Sequence, residues 1–450
     1  MTRDADVVVI GSGLLGIAVA RRLAERGRSV LILEQGPAVT DPPGSHIRNA
    51  SRFQSDPDAY LKIATKHLAY FDSTAPRDSM PGAAVTNARG GQGIIWTNLC
   101  PRGDAPWATL TTAQWDTYYD IAEGYLGVQC QWFETSIRQQ RIQAKLGPHL
   151  SAESRQITAL PVAAQPNPND YLNFTAPYDI LAGSADAVKR VHVLQRTADV
   201  LVQQDARVTG VNVGSETIEA QEVVVAAGAI GTPQFLHRSG IRPKAMGRWL
   251  SYHPLLICQL VLNEDLCAAP GVRDREPRLQ VPPSDNAEWY SLILRDVSPF
   301  QPTGRDTAID PNRLVELQFI CPVDVHEQNG IRFDEQSHPT FNLPLSPADQ
   351  RRMSSAGQEA DRFAALLGRY RNGCNPMWMP FGFAHMTGTT RMSAADDGTG
   401  VADYSGKVWG LKNLFLATNG LIPTRMSVNP TLTGVALAVH VADEIVKNQV

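Results

Sequence analysis

Residues 6–36, "DVVVIGSGLLGIAVARRLAERGRSVLILEQG", constrain the fold more than any other part of this 450-residue chain. Val7 to Ile10 form an apolar run of strand length, and Gly11, Gly13 and Gly16 follow at the spacing G-x-G-x-x-G. The next residues have helical periodicity, with Ile17, Ala20, Leu23 and Ala24 on one face. Gly27 ends that helix, "VLIL" is a second parallel strand, and Glu34 sits at its end. A strand, a glycine turn, a helix and a second strand ending in an acid make up the dinucleotide-binding pattern. The glycines let backbone approach a pyrophosphate, which the free N–H groups of the helix N-terminus would hold. Glu34, about 20 residues beyond Gly13, can accept from both ribose hydroxyls and would repel a 2′-phosphate.

A chain of this length buries a large core and divides into two or three domains. Its net charge of -4, with no run of like charges, argues against nucleic acid and against a polybasic membrane anchor. No apolar run approaches the ~20 residues a membrane span needs; "PLLICQLVL" from Pro254 is short and broken by Gln259. The N-terminus enters a strand almost at once, which leaves no space for a signal peptide and points to the cytoplasm. Six cysteines lack a CxxC or CxxH pairing and read as reduced thiols, with no metal site.

Further along, residues 86–107 are glycine-rich. They fit either a loop around a buried Trp96 or backbone laid flat against a planar cofactor, which needs positions without a Cβ. Residues 191–213 and 216–241 read as hairpin-connected strands that end in a buried strand, then Gly228 and a new helix. The stretch 265–313 is rich in Pro, Asp and Arg and predicts long loops. Residues 314–345 are strand-like and 347–371 helical. Near the C-terminus, "GLIPTRMSVNPTLTGVALAVHVADEIV" sets Asn429 and Pro430 in front of a long alanine-rich helix. Proline is ordinary in a first helical turn. An asparagine held at the positive end of such a helix suggests a function.

Five segments together resemble the glucose–methanol–choline (GMC) oxidoreductases, flavin-dependent enzymes that oxidise alcohols. They are "GSGLLG" with Glu34; "GGQGIIWTN"; "VVVAAGAIGTPQFLHRSGI"; "MGRWLSYHP"; and "HMTGTTRM", "GLKNLFLATNGLIPT" and "NPTLTGVALA" near the end. They occur in the family's order over nearly the whole chain. Within the family, "GLKNLFL", "NPTLT" and "GGQGIIWTNLCPR" are most similar to pyranose oxidases and bacterial C-glycoside oxidases. The resemblance implies an α/β (α+β) fold. A Rossmann-type FAD-binding domain would be discontinuous over 1–105, 190–250 and 375–450. An inserted antiparallel-sheet substrate-binding domain with its loops would comprise 106–189 and 251–374. The resemblance also implies FAD, held by Gly11, Gly13, Gly16 and Glu34 with Arg89, Gly91, Trp96, Thr97, Asn98, Ala227, Asn419, Gly420 and Thr431. The FAD would be non-covalent, because Ile95 stands where many fungal pyranose oxidases carry the histidine that bonds the flavin.

By the same resemblance, His385 and Asn429 face the flavin N5 from the substrate side. Alcohol oxidation removes a hydride from carbon and a proton from oxygen. A neutral imidazole titrates near the working pH and can take that proton. Asn429 is no base, but its amide can donate to the developing alkoxide. The positive end of its helix would favour negative charge on the flavin. His253 and His440 read as core histidines. The implied reaction is oxidation of a secondary hydroxyl of a sugar or glycoside, at C2 or C3, to a ketone, with oxygen or a quinone as electron acceptor. The alternatives are a non-sugar alcohol oxidase of biosynthesis and a redox-silent, lyase-like flavoprotein. In "EWYSLILRD", Leu292 and Leu294 stand where the fungal enzymes offer a glutamine and a histidine to the sugar. That predicts a more apolar pocket suited to an aromatic aglycone, with Arg295 and Asp296 as orienting polar groups and Trp289, Tyr290 and Phe300 as apolar surface.

Overall fold

The computed structural model describes residues 5–51, 66–103, 110–168, 172–294, 309–382 and 384–448. Five strands form a parallel sheet in the order Leu414–Leu416, Glu222–Val225, Val7–Ile10, Val30–Glu34, Val191–Gln195. In register, Val8 lies between Val223 and Leu31. The three central strands are buried at every position, as a sheet covered on both faces requires. Helix Leu14–Glu25 follows the glycine turn and packs against the C-terminal helix Thr431–Lys447. The C-terminal helix is buried almost all round, which its alanines, valines and Gly434 allow. Arg22 joins the two helices through paired hydrogen bonds to Asp443, Nε to Oδ1 and Nη2 to Oδ2, both 2.8 Å.

One sequence expectation changes here. Val191–Gln195 is no hairpin partner; it is the edge strand of the parallel sheet, alongside Val30–Glu34. The hairpin-linked strands are Val200–Gln204, Arg207–Val213 and Glu216–Glu219, an antiparallel meander of their own. In "VHVLQ" only Val191 is fully buried, and the local pattern does not distinguish an edge strand of a parallel sheet from a hairpin strand.

A second, seven-stranded sheet is antiparallel. Its main path runs Gly368–Tyr370, Leu255–Leu262, Leu314–Ile320, Tyr290–Leu294, Leu279–Val281, Thr158–Ala159, and Met377–Trp378 also pairs with Leu255–Leu262. Strand Leu314–Ile320, "LVELQFI", shows why the sheet has two different faces. Successive side chains point to opposite sides. Val315, Leu317 and Phe319 pack with Met353, Ala360 and Phe363 of helix Pro347–Leu367 and with Leu146 of helix Ile137–Ala152. Glu316, Gln318 and Ile320 take the other side and face the parallel-sheet unit. The helix expected over 347–371 starts at a Ser346–Asp349 capping box and stops at Leu367, where Gly368–Tyr370 joins the sheet. Among the described residues, no helix is long and apolar enough to cross a membrane.

Candidate active site

A cavity of about 450 Å³ lies between the C-terminal ends of the parallel strands and the polar face of the seven-stranded sheet. Ile10, Leu33, Ala226 and Ala417, at or just after four of those strand ends, all line it. This is the ligand position expected of an open parallel sheet. Three helices direct their N-termini at the cavity: Leu14–Glu25, Gly228–Arg238 and Thr431–Lys447. None has a side-chain cap, and none has an acidic residue in its first turn. Three sets of N–H donors and three positive dipole ends thus meet in one space, and they favour an anionic ligand.

The glycine turn is shaped by close backbone contacts. Gly11 has φ +104, and a Cβ on Gly16 would lie 2.1 Å from the Gly11 carbonyl oxygen. Only glycine fits at Gly16, which packs the helix onto the turn and does not line the cavity. Gly13 is different: a Cβ there would meet nothing within 4 Å, so its backbone is open to the cavity. Glu34 is buried. Its Oε2 accepts from the Ser12 N–H (3.0 Å) and Oγ (2.6 Å), and its Oε1 from the Gly36 N–H (2.6 Å). These bonds fix the carboxylate and leave lone-pair capacity toward the cavity.

Of the other residues singled out in the sequence, Gly91, Trp96, Thr97, Ala227, Asn419 and Thr431 line the cavity, as does Ile95. Trp96 is anchored by an Nε1–H bond to the Thr175 carbonyl (2.8 Å). Asn98 does not reach the cavity. It is fully buried, and its Nδ2 donates to the carbonyls of Ala163 (2.9 Å) and Thr175 (2.8 Å), which makes it a brace for the loop. Gly420 packs under Thr389 and Thr390, and Arg89 is half-buried; neither lines the cavity.

At the other end, His385 and Asn429 come together, with the His385 Nε2 3.2 Å from the Asn429 Nδ2. Asn429 precedes Pro430 at the helix start, and its Oδ1 is buried without a partner among the described residues. His385 has φ +64, a left-handed conformation that is uncommon for a residue with a side chain and that recurs at functional sites. Its Nδ1 contacts the Nε2 of His253, with ring centroids 4.5 Å apart and planes at 72°. The His253 Nδ1 in turn lies 3.2 Å from the Met426 carbonyl oxygen. Burial holds both imidazoles below their ordinary titration range. It lowers His253 to about 4, and His385 falls well below its usual value through burial first and through the repulsion that two protonated neighbouring rings would feel. Both rings are therefore neutral at physiological pH.

The wall facing this pair corrects the expectation for Leu292 and Leu294. Both are fully buried in the apolar cluster that also holds Leu99, Cys100 and Leu160, and neither lines the cavity. Register gives the reason: Leu292 pairs with Gln318 and Leu294 with Glu316, so the leucines share the right face but stand one strand too far away. The side chains that face the cavity are Glu316 and Gln318, with Leu255, Ile257 and Ile320. Gln318 Nε2 donates to Glu316 Oε1 (2.7 Å), and Gln259 Nε2 donates to Glu316 Oε2 (3.4 Å). Trp289 and Tyr290 are buried and do not line the cavity. Arg295, Asp296 and Phe300 lie outside the described residues. Sequence reasoning missed that Ser12, Tyr252, Glu316 and Gln318 line the cavity; His253 is buried, as a core histidine would be, and lines the cavity as well. The alternating polar pair in "LVELQFI" was the available signal for Glu316 and Gln318.

Residues 6–248 match the family described as FAD dependent oxidoreductase, and residues 327–438 match GMC oxidoreductase. A C-glycoside 3-oxidase of Microbacterium trichothecenolyticum is 30% identical, covering 98% of this chain and 97% of that protein. A pyranose 2-oxidase of Tricholoma matsutake is 27% identical, covering 98% of this chain and 93% of that protein. Among solved structures, a formate oxidase variant of Aspergillus oryzae superposes with a TM-score of 0.71 at 14% identity, over 98% of both chains. A pyridoxine 4-oxidase from Mesorbium loti gives a TM-score of 0.67 at 16% identity, over 99% of both chains.

Proposed function

Because this chain belongs to the GMC family of FAD-dependent oxidoreductases, we propose that it oxidises a secondary hydroxyl of a sugar or glycoside to a ketone, with His385 as the base and Asn429 as the orienting donor. The observation that carries this reading is the His385–Asn429 contact of 3.2 Å on the same cavity as the glycine turn. The C-glycoside and pyranose oxidases matched over nearly the whole chain support the substrate class.

The cavity fits FAD on its own geometry. Gly13 leaves open space beside an uncapped helix for a pyrophosphate, and Glu34 is fixed as a ribose acceptor. The uncapped start of Thr431–Lys447 sits beside Asn429, where it would hold the electron-rich end of the flavin. Gly11, Gly13, Glu34, Gly91, Trp96, Thr97, Ala227, Asn419 and Thr431 are assigned to cofactor binding, and Gly16 to packing the turn beneath it. On this assignment the parallel-sheet unit holds the cofactor and the seven-stranded sheet supplies the substrate wall. Ile95, which has no nucleophile, lines the cavity and supports non-covalent attachment.

FAD, when bound, supplies the acceptor for the hydride leaving the carbinol carbon. The protein handles the proton and the geometry. Neutral His385 takes the hydroxyl proton as the C–H bond weakens, and the Asn429 amide donates to the oxygen that gains negative charge. Gln318, its Nε2 tied to Glu316, presents its oxygen to a second substrate hydroxyl. Low-dielectric surroundings keep His385 uncharged, so its lone pair is available before the substrate proton is transferred.

An anaerobic titration of the yellow holoenzyme tests the reading. Glucose and an aryl C-glycoside should bleach the flavin, and His385→Ala should retain FAD while reducing it roughly 10²–10⁴-fold more slowly. Flavin that stays yellow with every sugar and glycoside refutes the substrate class. Near-normal reduction in His385→Ala removes the base assignment.

A further inference from the structure

We propose that His253 is a positioning residue that decides which ring nitrogen of His385 carries the proton. The Met426 carbonyl can only accept, so the His253 nitrogen 3.2 Å from it, Nδ1, must be the N–H. A neutral imidazole has a single N–H, so the His253 Nε2 is bare and must accept. Its neighbour is the His385 Nδ1, which therefore carries the His385 proton. The His385 Nε2 is left as a lone pair, facing the Asn429 Nδ2 at 3.2 Å. Asn429 can only donate from that nitrogen, so both ends of the relay agree on one proton arrangement. The opposite arrangement would set two lone pairs against each other at the Met426 contact and two N–H groups against each other at the Asn429 contact.

Both rings are deeply buried, and burial disfavours the charged forms that would blur this assignment. The relay also joins three separate parts of the chain: His253 just before strand Leu255–Leu262, His385, and the 426–429 stretch ahead of the C-terminal helix. A substrate hydroxyl entering the cavity would take the place of the Asn429 N–H at the His385 Nε2 and accept that N–H on its own oxygen. His253 lines the same cavity, but both of its ring nitrogens are engaged, by the Met426 carbonyl and by His385, so it acts through His385. The catalytic consequence rests on the reading of His385 as the base, whereas the proton arrangement stands on the contacts alone.

The FAD-loaded protein, labelled with ¹⁵N-histidine, tests this by long-range ¹H–¹⁵N NMR at neutral pH, with His385 assigned by comparison with His385→Asn. In the unmodified protein, His385 should show a pyrrole-type Nδ1 and a pyridine-type Nε2. His253→Leu would leave an Nδ1–H buried without an acceptor, whereas the Asn429 amide can turn its Oδ1, which has no partner among the described residues, toward an Nε2–H. The proton should therefore move to the Nε2, and flavin reduction should slow by up to roughly 10⁴-fold, as a wrong tautomer does elsewhere. His253→Gln restores an acceptor at the same reach and should return both the spectrum and most of the rate. A pyrrole-type Nε2 on His385 in the unmodified protein overturns the proposal, whether or not the leucine variant folds. An unchanged His385 spectrum in His253→Leu also overturns it. A switched tautomer with no slowing supports the relay and counts against His385 as the base.

Discussion

Mild acid should destabilise this protein before its carboxylates titrate, because two buried imidazoles charge when the chain opens. In the unfolded chain His253 and His385 each titrate near about 6.5. In the fold, burial lowers His253 to about 4 and holds His385 below its ordinary value as well. The unfolded chain therefore binds more protons than the fold between these limits. The neutral-histidine stability is complete above about pH 6.5 and is lost as pH falls toward the folded values. Each such proton changes stability by about 1.4 kcal/mol per pH unit. Lowering the pH from about 7 to about 5 should then cost about 2 kcal/mol per histidine and about 4 kcal/mol for the pair. His440, also lowered by burial, adds in the same direction. Aspartates and glutamates protonate little above about pH 5, so the effect is separable. Urea unfolding of the FAD-loaded protein across this range measures it, with a His253→Asn/His385→Asn double variant at the same FAD concentration as reference. The unmodified protein should lose about 4 kcal/mol more than the variant. Parallel loss in the two proteins would refute the claim that both rings are neutral in the fold.

Other outcomes follow from single contacts. Gly16→Ala would put a Cβ 2.1 Å from the Gly11 carbonyl oxygen, so the purified variant should lose most of its FAD absorbance and about 1–3 kcal/mol of stability in denaturant unfolding. With Ile95 lining the cavity, acid or heat should release all the yellow colour into the supernatant; flavin retained in the precipitate would mean that another side chain forms the bond. Gln318→Leu should keep full FAD content but raise KM for a sugar substrate about tenfold, about one lost hydrogen bond, and an unchanged KM would remove Gln318 from substrate recognition.

The parallel sheet was legible where its signals are local. The glycine turn, its helix and Glu34 lie within one short stretch, and each residue type is demanded by backbone or ligand geometry within that stretch. Strand order was not legible. Glu222–Val225 reads as a buried strand, but nothing local says that it stands beside Leu414–Leu416. Val191–Gln195 is half-covered like any hairpin strand, and only its pairing with Val30–Glu34 reveals the edge position. The helix starting at Pro347 was drawn too long because "GRY" carries no stop signal beyond its glycine; the sheet edge offered by Leu255–Leu262 ends the helix.

The same limit explains the candidate site. His385 and Asn429 were found because each sits in a distinctive short stretch, although neither stretch reveals that the two side chains meet. The substrate wall was misread by one strand. Alternation identifies the face of a strand but not its distance from the cavity, and Leu292 and Leu294 share their face with Gln318 and Glu316. The shift changes the energetics of recognition. A sugar hydroxyl buried against leucine loses its water partners, at a cost of about 1–3 kcal/mol. Against Gln318, whose amide nitrogen is already bound to Glu316, the same hydroxyl finds an oriented carbonyl acceptor that offsets this loss. Ile257 and Ile320 on the same wall leave apolar surface beside it, so one substrate can place a hydroxylated ring at Gln318 and a less polar group along the isoleucines. Selectivity between a free sugar and a glycoside then depends on how far the second group extends along that surface, at about 25 cal/mol for each Å² it covers.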